Sequence, residues 1–462
     1  MSSMFISNHP SGAVSQGLQR LWDSSFLSLD TAKSSASSKP KDQSENKMNG
    51  NENSRKKGVE HTVGDLTTMI VNARDYGAIP IEENAKYDST NALNAAFAAA
   101  IQKKLPCYVP PGTYQTSGPL IAKGSNVMIY GAGGTNTVIK TLSTDYDCIL
   151  IGPGANMNNQ SLGGFLRDIY FLGPVKQPQG VTAGVKLNGI RQFEVRNVQS
   201  DGFPIAFDLI NNCFGSVFFN LRAQYNWNTV ALNLRSGFQS GNDLQFYNCW
   251  LGGTKAAVHI SPASGGFHFW GGQLSAGFGL TAPDDNLGIV VIGKDLVTGA
   301  IGGTANIIFD GIDFEGYKHV WALRAFDKTN MAVRGCSFLA NSGTDALGIL
   351  KQQRAQSSQF TFENNTVRGP HSGPPIVIEG EYSAFSIYEL GTEMNRASFL
   401  NYPSLDTSLT MLEVSQIKLG TGIGRSNYAS KIVLGNVLLR SLNNQLQIST
   451  DWGKTWKVVQ TL

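Results

Sequence analysis

The stretch Asn306-Ile-Ile-Phe-Asp-Gly-Ile-Asp-Phe-Glu-Gly316 decides the architecture. Ile307 and Phe309 have period-two spacing before Asp310, with Ile308 between them also apolar, Gly311 interrupts the run, and apolar and polar residues alternate from Ile312 to Glu315. Period two is the mark of a strand with one buried face, and a glycine between two such runs supplies a tight corner. The same plan recurs in Phe165-Leu-Arg-Asp-Ile-Tyr-Phe-Leu-Gly173 and in Gln359-Phe-Thr-Phe-Glu-Asn-Asn-Thr-Val-Arg-Gly369. Repetition of one supersecondary unit identifies a solenoid.

Aligning the interruptions gives Gly131, Asp168, Asn197, Asn220, Asn248, Gly272, Gly311, Gly335, Asn364 and Gly391, most of them about 23 to 29 residues apart. Gly, Asn and Asp tolerate the left-handed backbone of a corner. The following positions, Ala132, Ile169, Val198, Leu221, Cys249, Gln273, Ile312, Cys336, Asn365 and Thr392, form a mostly apolar column that faces inward, with Gln273 and Asn365 as polar exceptions. The preceding positions, Tyr130, Arg167, Arg196, Phe219, Tyr247, Gly271, Asp310, Arg334, Glu363 and Leu390, form a polar and aromatic column that faces out. The expected fold is an all-β right-handed parallel β-helix over residues 61–404. Two long intervals, Gly131 to Asp168 and Gly272 to Gly311, must leave as loops, which in solenoids commonly wall a binding face. The second carries Asp284 and Asp285.

Before the coils, Asp88-Ser89-Thr90 offers a helix N-cap, and Leu93, Phe97, Ala100 and Ile101 repeat at helical spacing. A helix there would close the apolar end of the stack. Residues 1–60 hold an amphipathic stretch, Val14 to Leu29, followed by a Ser/Lys/Asn-rich tract too polar to fold alone. This reads either as a tether docking to a larger particle or as a fortuitous pattern. Residues 405–462 form a small C-terminal β unit, a cap or an oligomerisation element. It includes Ser449-Thr-Asp-Trp-Gly-Lys-Thr-Trp456, similar to the Asp-box turn of sialidase-like propellers and assigned no catalytic role.

Composition narrows the function classes. With charged residues at 15% and a net charge of +3, no basic stripe points to nucleic acid. The 5 cysteines are scattered in apolar runs without metal-ligand spacing, so buried free thiols are expected and no cofactor is implied. No signal peptide and no membrane-spanning run is visible.

The opening segment, Val71-Asn-Ala-Arg-Asp-Tyr-Gly-Ala78, then Asp88-Ser-Thr-Asn-Ala-Leu93, then Tyr108-Val-Pro-Pro-Gly-Thr-Tyr114, resembles the pectate-lyase-like superfamily, in particular its phage tailspike and polysaccharide depolymerase branch. It departs from the common pattern at Ile79 to Tyr87, where a Gly-Asp-Gly segment is usual, and at Asp88-Ser89, where two aspartates are usual. The resemblance implies a polysaccharide substrate, cleavage by hydrolysis or β-elimination, a homotrimer, and a place on a virion tail or otherwise outside the cell.

Glycoside hydrolysis needs two carboxyls roughly 5 to 9.5 Å apart. Acids two apart on one strand face are separated by roughly 6 to 7 Å. Asp313 and Glu315 have that spacing, with Asp310 across the corner. The plain alternative is a surface ladder of Asp310, Arg334 and Glu363, with Asp313 and Glu315 as solvated turn residues. Asp201 and Asp243 are weaker catalytic candidates. Arg222, Tyr247, Trp250 and Trp270, with Tyr225 and Trp227 nearby, offer aromatic faces and a cation for a glycan groove or a subunit interface. A lyase would instead draw a base and a cation from Arg196, Arg222, Tyr247 and His268. A binding-only adhesin is the third reading.

Overall fold

The computed structural model describes residues 69–394 and 431–461, apart from 153–160, 236–242, 341–345, 355–357, 370–375, 379–385, 450–454 and a few single or paired positions. The N-terminal tether, Tyr225 and most of the Asp-box stretch lie outside the described residues.

Thr90–Lys103 is an α-helix that buries Ala92, Leu93, Ala96, Phe97 and Ala100 against the first strands. Its cap is built differently from the expected one. The Ser89 hydroxyl donates to Ile79 O at 2.9 Å, and the Asp88 carboxylate accepts Thr90 N at 3.0 Å and Ser117 N at 3.2 Å. The cap therefore ties the helix start to the first coil.

Beyond the helix the chain coils through two long parallel sheets. One has 21 strands, running up to the corner and away from it in each coil, and the other has 10. Each strand pairs in parallel with its counterpart one coil earlier and one later, as Trp270, Asp310, Arg334 and Glu363 do in succession. Parallel strands returned through crossovers wind right-handed. The result is a right-handed parallel β-helix. Its interior carries a stack of phenylalanine rings, Phe218, Phe246, Phe269 and Phe309, with centroids 4.6, 4.6 and 5.1 Å apart. Each such contact adds about 0.5–1.5 kcal/mol beyond area burial. The five cysteines are buried free thiols, and burial pushes Cys107, Cys213, Cys249 and Cys336 up to about 12.

The corner itself is a ladder. Asp168, Asn197, Asn220, Asn248, Gly271, Gly311, Gly335 and Asn364 all hold φ between 50° and 65°. Asn197 donates to Asp168 Oδ1 at 2.9 Å, and Asn220 donates to Asn197 Oδ1 at 3.0 Å. The sequence alignment needs correction by one residue here, since Gly271 and not Gly272 is the corner. Gly272 pairs with Cys249 and takes the inward place, where an added Cβ would lie 2.3 Å from Cys249 O. Gln273 thereby moves outward, into register with Trp250 and Asp313. In the outward column before the corner, Trp270 replaces Gly271. At the first coil, residues 132–136 form a turn, and buried Thr137 stands next to Val138, the partner of Tyr170. Asn365 is inside as expected, accepting Cys336 N at 2.9 Å and donating to Val333 O at 3.0 Å.

The 10-stranded sheet carries a feature that alternation alone does not announce. Lys186, Asp208, Asn233, His259, Val291, Arg324 and Lys351 succeed one another in register, and most are buried. Arg235 donates to Asp208 at 2.6 and 3.2 Å, Asn233 donates to it at 2.9 Å, and Lys186 pairs with Asp147 at 2.5 Å. The loop entered at Gly277 is anchored on this side. The Asp285 carboxylate accepts Trp321 Nε1 at 2.8 Å and pairs with Lys351, while Asp284 N donates to His319 O at 2.8 Å.

The C-terminal unit is a four-stranded antiparallel sheet, Lys431–Leu434, Val437–Leu442, Gln445–Ser449 and Lys457–Thr461. Among the described residues no helix is long and apolar enough to cross a membrane.

His259 makes this buried column sensitive to acid. Burial lowers its imidazole from 6.5 to about 4, so the folded state binds fewer protons than the unfolded chain between those values. Stability should therefore fall as pH drops from 6.5 towards 4. Urea unfolding across that window should show a flatter pH dependence for His259→Gln than for the wild type.

Candidate active site

The corner sorts the outward residues of the larger sheet into straight columns. After the corner, Arg222, Trp250, Gln273, Asp313 and Ser337 follow one another at successive coils. Before it, Arg196, Phe219, Tyr247, Trp270, Asp310, Arg334 and Glu363 do the same. Of the residues singled out by sequence, Tyr247, Trp270 and Asp310 thus stand in the outward column before the corner, and Arg222, Trp250 and Asp313, with Glu315 two residues on, stand after it. The spacing between coils is about 4.8 Å.

Asp313 and Glu315 stand on the short strand Asp313–Glu315, on either side of buried Phe314. Phe314 stacks on Phe338 at 4.7 Å and meets Phe309 edge-on at 5.4 Å, which fixes the strand between its neighbours. Both acids are half-buried. The amide of Gln273, one coil earlier, donates to Glu315 Oε2 at 2.6 Å. Asp313 Oδ1 is buried and has no hydrogen-bond partner. One acid is thus held by a donor, while the other keeps an oxygen unengaged. Asp310 sits between Trp270 and Arg334 in its column. The ion pair above it joins Arg334 to Glu363 at 3.1 Å, so part of the expected acid–base ladder is present.

The aromatic residues lead up to these acids. Arg196 lies 4.2 Å over the Phe219 ring, Phe219 stacks on Tyr247 at 5.0 Å, and Tyr247 lies parallel to Trp270 at 6.2 Å with 2° between planes. His268 stacks on Trp270 at 3.6 Å, and burial lowers its imidazole from the ordinary value. In the adjoining column the Arg222 guanidinium lies 5.6 Å from the Trp250 ring centre. Trp250 is 54% exposed and Trp270 is 36% exposed. An exposed indole such as Trp250 is suited to the apolar face of a sugar ring.

The remaining candidates are placed elsewhere. Asp201 is fully buried and accepts Gln199 Nε2 at 2.7 Å, Gln224 N at 2.7 Å and Asn228 Nδ2 at 3.3 Å, a structural knot below the surface. Asp243 holds φ 59° at a turn and accepts from Gln245 at 3.1 Å. Trp227 carries Lys176 over its ring at 4.7 Å. Asp285 serves the opposite sheet, as described above. No group of three or more His, Cys, Asp or Glu suited to a metal occurs among the described residues. Gln273 is the residue that sequence reading misplaced, because a pair of adjacent glycines offered two possible corners.

Residues 70–147 match the family model for rhamnogalacturonase A/epimerase, pectate lyase-like proteins, the stretch on which the sequence resemblance rests. No curated protein matches the chain in sequence. Among solved structures, the chain is similar to ORF18 of Geobacillus virus E2, with 14% identity over 87% of this chain and 78% of the other at a TM-score of 0.47. It is similar to the Dettilon tailspike protein, with 12% identity over 84% and 79% at 0.46. It is also similar to the A-module of a mannuronan C-5 epimerase from Azotobacter vinelandii, with 16% identity over 72% and 96% at 0.43.

The Gln273–Glu315 bond makes its own demand on stability. Gln273→Leu should cost about 1–2 kcal/mol in urea unfolding at neutral pH. Gln273→Glu should cost more, because it sets a third carboxylate beside Asp313 and Glu315, and that excess should shrink with added salt.

Proposed function

We propose that the chain binds an extended bacterial surface polysaccharide along the outer face of the larger sheet and hydrolyses it within the chain at Asp313 and Glu315. The observation that carries this reading is the placement of the pair. Two half-buried carboxyls share one face of one strand, in register with an exposed indole two coils earlier. The pectate-lyase-like match of residues 70–147 supports a polysaccharide substrate. The same reading has the protein act outside the cell, on a virion tail, as a homotrimer docked through residues 1–60.

The residues divide the work by their surroundings. Glu315, already accepting the Gln273 amide, keeps its other oxygen to orient and deprotonate the attacking water. Asp313 delivers a proton to the glycosidic oxygen from Oδ2, its Oδ1 being buried, as the bond to the sugar carbon breaks. Water adds to that carbon, and its proton passes to Glu315. Asp310 is the third carboxyl, placed to stabilise positive charge on the sugar ring. The α-carbons of Asp313 and Glu315 are about 6.6 Å apart on an extended strand, a spacing from which the two carboxyls can span the roughly 5–9.5 Å that glycoside hydrolysis uses. Trp250, Trp270 and Tyr247 hold the sugars on one side of the cut.

Asp313→Asn and Glu315→Gln should keep the fold and glycan binding while lowering the release of reducing ends by about 100-fold or more. Proton NMR of the first products should show newly released anomeric protons, whose configuration assigns the reaction as inverting or retaining. Unchanged release by both variants would remove the site assignment. Appearance of an ultraviolet-absorbing unsaturated sugar would convert the reaction to β-elimination.

A further inference from the structure

We propose that Arg222 and Trp250 form a subsite for an anionic sugar, so that the substrate is an acidic polysaccharide held with its charged residue away from the bond that is cut. This deepens the proposed hydrolysis and rests on it for the position of the cut. The subsite itself rests on Arg222.

Arginines on this face are mostly neutralised. Arg167 and Arg196 share Glu194 at 3.0 and 2.6 Å, and Arg334 pairs with Glu363 at 3.1 Å. Arg222 is exposed and, among the described residues, makes no ion pair. It is nonetheless held in place. Its Nε donates to Asn220 Oδ1 at 3.3 Å, its guanidinium sits over Trp250, and Asn220 is fixed by the corner ladder through Asn197. The outer nitrogens of the guanidinium keep their donors for a ligand. A planar fork held from behind and open in front suits a carboxylate or another planar acid, beside an indole face for the ring that carries it.

The other end of the column argues the same way. Arg222, Trp250, Gln273 and Asp313 are consecutive, which puts the cation roughly 14 Å from the cleaving pair. A carboxylate at the cut would meet Asp310, Asp313 and Glu315 and be repelled. The charge pattern thus favours a charged sugar at Arg222 and a neutral one at the cut. This is the arrangement hydrolysis can use, whereas β-elimination needs a uronate at the breaking bond.

The test uses the full chain carrying both Asp313→Asn and Glu315→Gln, so that binding is read without cleavage. The probes are hyaluronate and unsulfated chondroitin, in which charged and neutral sugars alternate, each alongside its carbodiimide-reduced neutral form. At least one acidic probe should bind more tightly than its reduced form. Adding Arg222→Gln should weaken that binding by about tenfold and flatten its salt dependence, leaving the reduced form unaffected, while Arg222→Lys should keep part of the affinity. Equal losses on charged and reduced probes, no loss at all, or binding confined to neutral probes would each overturn the anionic subsite. Salt-sensitive, Arg222-dependent binding by a wild-type chain that cuts nothing would keep the subsite and sink the hydrolysis instead.

Discussion

The structure depends on one backbone constraint repeated in eight successive coils, from Asp168 to Asn364: a residue that accepts the left-handed conformation at the same point of each turn. At Asp168, Asn197 and Asn220 the side chain also reaches the corner of an adjacent coil. Where the corner residue is Gly, at 271, 311 and 335, no ladder bond forms, but the corner carries no steric penalty. Because the corner fixes the register, every residue a given distance from it stacks on its counterpart. Straight columns are a consequence of the corner, and a straight outward column is what a linear polymer can lie along.

That constraint also decides what could be read from the sequence. Corner residues are chemically distinctive, so the repeat, the inward apolar columns and the outward Arg–aromatic–acid column were legible without coordinates. Two places failed for the same reason. At Gly271–Gly272 both residues can take the corner, and the choice turns on an inward crowding against Cys249 O that no local pattern records. At the first coil, a turn of five residues after Gly131 displaced Ala132 from the column expected for it. The acids were legible because a strand puts residues two apart on one face. Gln273 was not, because its bond to Glu315 spans 42 positions and depends on the register that the glycine pair obscured.

The 10-stranded sheet was less legible still. Its strands Ile205–Ile210, Val230–Arg235 and Trp321–Ala325 are buried on nearly every residue, so alternation does not report which side chains face the core. Lys186, Asp208, Arg324 and Lys351 escaped the sequence reading altogether. In the fold they are covered and satisfied by one another and by Asp147, Arg235 and Asp285. Breaking such a network strands a buried charge, which is costly even though the intact network adds little net stability.

The two sheets therefore use charge in opposite ways, and the difference separates structure from function. On the smaller sheet, the described charges are mostly paired and covered. On the larger sheet the column before the corner runs from Arg196 through stacked aromatic rings to Asp310, and the column after it from Arg222 through Trp250 and Gln273 to Asp313, with the Arg334–Glu363 pair beyond. A packing requirement would not produce such an order, since opposite charges a few coils apart gain nothing from each other through water over that distance. A linear polymer laid along the columns would meet the groups in sequence, a cation to hold it, rings to support it and carboxyls to act on it. The order of these groups, more than any one of them, supports reading this face as a track with a reactive end.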